Sequence, residues 1–147
     1  MNLGYACINL GLSERPKSKR ITTNRSMIRR TFDQKGLSYV SEISLQNCQD
    51  LPKILKWNVK NGFSFFRLSS NLFPWASEYS LEELPDYHRI KQKLAFAGQI
   101  ARIHGMRITS HPGPFNKLCS PNERVVLNTI KDLEHHGEVF DLIGLPR

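Results

Sequence analysis

Three short apolar runs, Leu3–Ile8, Phe63–Leu68 and Met106–Thr109, are each followed by a longer stretch whose apolar residues recur at helical spacing. That alternation constrains the fold more than any other feature, because strand–helix repeats bury both partners only as parallel β/α units. The first helical stretch spans 41–61, with Ile43, Leu51, Ile54, Leu55 and Val59 on one face and Gly62 as its stop. Pro52 predicts a kink, or a restart capped by Asp50. A second helix is expected over Leu84–His104, carrying Ile90, Leu94, Ala97, Ile100 and Ala101 and stopped by Gly105. A third should begin after Ser120–Pro121, with Glu123 completing a box-like cap, and carry Val125, Val126, Ile130 and Leu133 toward Leu142.

In parallel β/α folds, functional residues gather on the loops after the carboxyl ends of the strands, since the helices occupy the other side. Three segments fall there: the basic loop 13–36, the stretch Ser69–Ser77 and Ser110–Phe115. Three units are too few for an eight-unit barrel, which takes about 250 residues. The expectation is therefore an incomplete domain over residues 1–147.

Charge narrows the class of partner. The chain carries a formal +8, and between 13 and 36 eight basic residues oppose only Glu14 and Asp33. Such a segment favours phosphate-rich partners, although a solvated loop would look the same. Cys7, Cys48 and Cys119 form neither a disulfide framework nor a zinc ribbon, which points to a reducing compartment. No apolar run is long enough for a secretory leader or a membrane span, so a soluble intracellular protein with no membrane partner is expected.

Among chemically capable residues, His111 ends a strand and precedes Pro112–Gly113. A neutral imidazole there can bind a metal or move a proton. A lone histidine is more often structural, and the residues by themselves favour that reading. Phe115 could stack on a base or simply cap the sheet; Phe73 and Trp75 have the same two readings, with packing preferred. His135 and His136 are neighbours on a helix, so their side chains diverge by about 100° and make a poor ligand pair. His88 and His104 are expected on the surface. No glycine-rich phosphate loop, G-x-S-x-G elbow or H-E-x-x-H motif occurs.

A larger pattern emerges from Leu3-Gly-Tyr-Ala-Cys-Ile-Asn9, Thr22-Thr-Asn-Arg25, Trp57-Asn58, Asn61-Gly62, Phe66–Ser77 and His111-Pro-Gly-Pro-Phe115, followed by Leu118–Pro121, Asp132-Leu-Glu134, His136 and Asp141. Together, in this order, they resemble the amino-terminal half of the UV-damage endonuclease family. The resemblance implies an α/β fold, a TIM (β/α)8 barrel represented by its first three β/α units. It also implies a divalent metal cluster, usually Mn2+, and nicking of damaged double-stranded DNA 5′ to cyclobutane dimers, 6-4 photoproducts and abasic sites.

By the same resemblance His111 is a metal ligand, and Tyr5 and Asn9 are catalytic-pocket residues. Arg25, Asn71, Pro114 and Phe115 are DNA-binding residues. Pro114 stands where the family has a glutamine, which removes an amide that could probe bases, while Phe115 keeps a stacking plane. The remaining metal ligands are expected beyond Arg147, in a missing carboxyl-terminal half, so the chain alone is expected to be inactive. Two alternatives stay open: a non-catalytic DNA-binding remnant, and another metal-dependent TIM-barrel enzyme such as an abasic-site endonuclease.

Overall fold

The computed structural model describes residues 3–14, 16, 19–113 and 116–145. Strand β1 (Gly4–Ala6) leads through a four-residue helix α1 (Leu10–Ser13) and a connection to the long helix α2 (Arg29–Lys60). Strand β2 (Phe65–Arg67) follows, then three 3-10 turns, helix α3 (Tyr87–Ile103), strand β3 (Arg107–Thr109) and helix α4 (Glu123–Ile143). The strands form one parallel sheet in the order β1-β2-β3, with Tyr5 opposite Phe66 and Phe66 opposite Ile108. Sequential parallel strands joined by helices have the order in which the units of a TIM barrel follow one another.

Side chains alternate across a strand. Tyr5, Phe66 and Ile108 therefore share one face, which packs on the helices; Phe66 is fully buried. The opposite face carries Gly4, Ala6, Phe65, Arg67, Arg107 and Thr109 and is half-buried to exposed. Most of the core lies between the sheet and α2 and α3, where Leu51, Ile54, Leu55, Ile90, Leu94 and Ala97 are all shielded from solvent. Each such leucine or isoleucine contributes about 1.5–3 kcal/mol of transfer free energy. Helices α3 and α4 meet at Gly98, where a Cβ would lie 1.7 Å from the Ile143 carbonyl oxygen. Only glycine permits that approach.

Several boundaries differ from the sequence expectation. Helix α2 starts twelve residues before Ser41, so the basic loop 13–36 is not a loop throughout; Arg29, Arg30 and Lys35 are helical. An Arg29–Asp33 pair one turn apart supports that first segment. So does the guanidinium of Arg29 over the rings of Phe32 and Trp75. The break in α2 falls at Gly36, with φ 62° and ψ −162°, while Pro52 sits inside the helix without a restart. Burial of Pro52 with Leu51, Ile54 and Leu55 offsets the missing hydrogen bond. Asp50 caps nothing there; its carboxylate turns to Arg25 and Lys53.

Helix α3 begins at Tyr87 because Ser80 and Glu83 cap a separate 3-10 turn ahead of it. Asn122, not Ser120, caps α4, and Gly144 ends it in the left-handed region. The buried residues of α4 are Thr129, Val139 and Ile143, whereas Ile130 and Leu133 of the expected apolar stripe are exposed. Among the described residues no helix is long and apolar enough to cross a membrane.

Candidate nucleic-acid and metal site

The carboxyl ends of the three strands bring three polar clusters to one edge of the sheet. At β1, the Tyr5 hydroxyl donates to Asn58 Oδ1 at 2.5 Å and accepts from Asn9 Nδ2 at 2.7 Å. Asn9 Oδ1 in turn accepts the Leu12 backbone N–H and caps α1. Tyr5 and Asn9 are thus brought together, but the phenol is turned toward α2, and the polar atoms of both residues are spent on each other and on α2 and α1. Burial pushes the Tyr5 phenol up, against the hydrogen bonds from Asn9 and to Asn58, so it stays protonated at neutral pH.

At β2, Asn71 Nδ2 and Ser69 Oγ both donate to Asn24 Oδ1. Asn47 on α2, fully buried, donates to the carbonyls of Arg25, Asn71 and Leu72 and accepts the Arg25 N–H. This amide ties the Thr22–Arg25 segment to the loop after β2. The Arg25 guanidinium donates to the carbonyls of Thr22 and Arg20 and to Asp50 Oδ2 at 2.7 Å. The two predicted DNA-binding residues Arg25 and Asn71 are therefore joined through Asn47, and the Arg25 guanidinium is held within the fold.

Beyond β3, His111 is exposed. The loop behind it is fastened to α4: Asp132 Oδ2 accepts from the Gly113 N–H at 3.3 Å and from Asn116 Nδ2. Thr129 Oγ1 accepts the Lys117 N–H at 2.8 Å. His136 Nε2 lies 3.8 Å from Asp132 Oδ2. Burial pushes His136 down, with the Asp132 carboxylate opposing and His111 adding to the effect. His135 turns away to meet the Phe73 ring edge-on, and burial pushes it down to about 4. His88 and His104 are on the surface. Pro114 and Phe115 lie outside the described residues.

As a metal centre the cluster is incomplete. Among the described residues no three His, Cys, Asp or Glu side chains converge on a point. Asp132, the acid that holds the loop behind His111, already accepts two hydrogen bonds. One imidazole does not hold a cation.

Sequence reasoning assigned Asn47, Asn58 and Asp50 no role at this edge. They were detectable as polar residues sharing the helical period of Leu51, Ile54 and Leu55, since a buried polar side chain persists only with hydrogen-bond partners.

The comparisons with known proteins bear on the family and the fold. The chain is 42% identical over 118 residues to the UV-damage endonuclease of Neurospora crassa, covering 78% of this chain and 17% of that protein. It is 36% identical to the UV-damage endonuclease of Schizosaccharomyces pombe, covering 97% of this chain and 23% of the relative. The crystal structure of SacUVDE superimposes with a TM-score of 0.84 at 28% identity, over 99% of this chain and 46% of that one. The chain thus spans less than half the length of each. The family model described as UV-endonuclease UvdE matches residues 1–147. A match along the entire sequence, on a sheet with the same opening topology, means that the chain belongs to the UV-endonuclease UvdE family.

Proposed function

We propose that this chain supplies the amino-terminal half of a metal-dependent DNA repair endonuclease that nicks 5′ to UV photoproducts, with abasic sites as further substrates. The observation that carries this reading is the common edge of the sheet, where an exposed His111 follows β3 while Asn9 and Asn71 follow β1 and β2. In this reading His111 is one ligand of a divalent cation, Mn2+ by family resemblance, and the other ligands come from segments outside this chain. Tyr5, bonded to Asn58 of α2 and to Asn9, fixes the end of β1 against α2. Asp132 and Thr129 hold the His111-Pro-Gly loop against α4. Neutral His136 packs behind that loop without adding a competing charge.

The test is a chimera in which this chain replaces the matching 46% of SacUVDE. Purified chimera should nick irradiated plasmid only with Mn2+ present, and His111→Ala should abolish nicking while leaving DNA affinity within about twofold, because a lost ligand removes chemistry and not phosphate contacts. A chimera that folds, binds irradiated DNA and never nicks it would sink the reading.

The second reading, a DNA-binding protein without its own chemistry, is favoured by Pro114, which stands where the resemblance expects a glutamine able to probe bases. It predicts salt-sensitive binding with no metal-dependent cleavage even in the chimera.

A further inference from the structure

We infer that a recess beside the β1–α2 connection is a binding site for a DNA backbone phosphate, contacted by Lys19, Arg20 and Lys53. The inference rests on the DNA-acting reading above and adds to it a specific contact surface. The recess measures about 360 Å3, and its walls include Lys19, Arg20, Arg25, Gln46, Gln49 and Lys53. Four cations face a single carboxylate, Asp50, whose side chain is 7% exposed.

That carboxylate is saturated. Its Oδ2 accepts from Arg25 Nη2 at 2.7 Å and from the Thr22 N–H at 3.2 Å, and its Oδ1 accepts from Lys53 Nζ at 2.8 Å. Arg25 is consequently a strut: it neutralises Asp50 and, through its bond to the Arg20 carbonyl, fixes the backbone that carries Lys19 and Arg20. The side chains of Lys19 and Arg20 are exposed and have no ion-pair partner among the described residues. The recess thus keeps an excess of three positive charges over its own acid.

Gln46 and Gln49 are half-buried on successive turns of α2, one turn before Lys53, and offer neutral amide donors beside the cations. An anionic oxygen with a single charge and more than one free lone pair matches that mixture, as a phosphodiester does.

Position argues for the duplex as the source of the phosphate. Asn47, adjacent to Gln46, bonds the carbonyls of Asn71 and Leu72 in the loop after β2, so α2 joins the recess to the strand-end edge, where His111 follows β3. A duplex resting on that edge passes its backbone over this flank.

The experiment uses the 147-residue chain and fluorescent duplexes with and without a cyclobutane dimer, with affinity followed as KCl is raised. The triple variant Lys19→Gln, Arg20→Gln, Lys53→Gln should lower the slope of log K against log salt by about 1, equally on both duplexes, as loss of a phosphate contact requires. Its melting temperature should fall only slightly, since Asp50 keeps its bonds from Arg25 and the Thr22 N–H when the Lys53 contact is lost. Lys91→Gln, on the exposed surface of α3, should leave the slope unchanged, and inorganic phosphate at constant ionic strength should not compete. A parent that binds DNA while the triple variant keeps its slope overturns the recess and leaves the DNA reading standing. An equal fall in Lys91→Gln, or displacement by inorganic phosphate, overturns it too. If the parent binds neither duplex, both proposals fall.

Discussion

His135 and His136, indistinguishable by sequence position, meet different fates one residue apart. His135 is pressed edge-on against Phe73, and its imidazole is held at about 4 against an ordinary 6.5, chiefly because burial penalises the charged form. Between those values the unfolded chain binds a proton that the folded chain refuses. The stability contributed by the neutral ring is therefore complete above 6.5, falls as pH drops through the window and is gone below about 4. Thermal melts across that range should show a declining melting temperature for the parent and a shallower decline for His135→Phe, which keeps the ring contact and loses the proton. Identical slopes would mean the imidazole is not buried as described. Adjacency on a helix was legible in the residues; which ring enters the core was not, because that depends on where the loop after β2 delivers Phe73.

Helix α2 shows how far an element can be read from its own residues. The periodicity of Leu51, Ile54 and Leu55 located its buried face, since a 3.6-residue repeat is visible in any sequence. Its beginning and its break were misplaced. Pro52 is the stronger local signal, yet its neighbours' burial holds the helix through it, while Gly36 takes a backbone conformation that other residues scarcely reach. A Cβ on Gly36 would meet no atom within 4 Å, so Gly36→Ala isolates the backbone effect. The substitution should cost about 1–3 kcal/mol in denaturant unfolding without any steric clash. Unchanged stability would show that the chain does not need the kink. In the same way, the basic loop 13–36 resolves into an anchored connection and the first turns of α2, because Asn47 and Asp50 bind its backbone from a distance no local pattern records.

At the scale of the molecule, β1 and β3 are the outer strands of the sheet, and one sheet face is left partly open. Leu127, Ile130 and Leu133 on α4, with Leu3, Ile8 and Leu10 beside β1, are exposed. Edges with unpaired backbone groups and contiguous apolar residues seek partners. The isolated chain should therefore associate as its concentration rises in sedimentation velocity, whereas the SacUVDE chimera should remain a monomer. A monomeric chain that binds no hydrophobic dye would contradict this. What the sequence determined by itself was the order of strands and helices, the buried face of α2 and α3, and the placing of His111 after a strand, since periodicity and turn chemistry act over a few neighbouring residues. The tertiary structure alone decided that Tyr5 serves Asn9 and Asn58, that Arg25 is a strut for its neighbours, and that Asp132 holds the His111 loop. Those roles arise from hydrogen bonds between residues far apart in the chain, and only the packed sheet and helices bring such partners within reach.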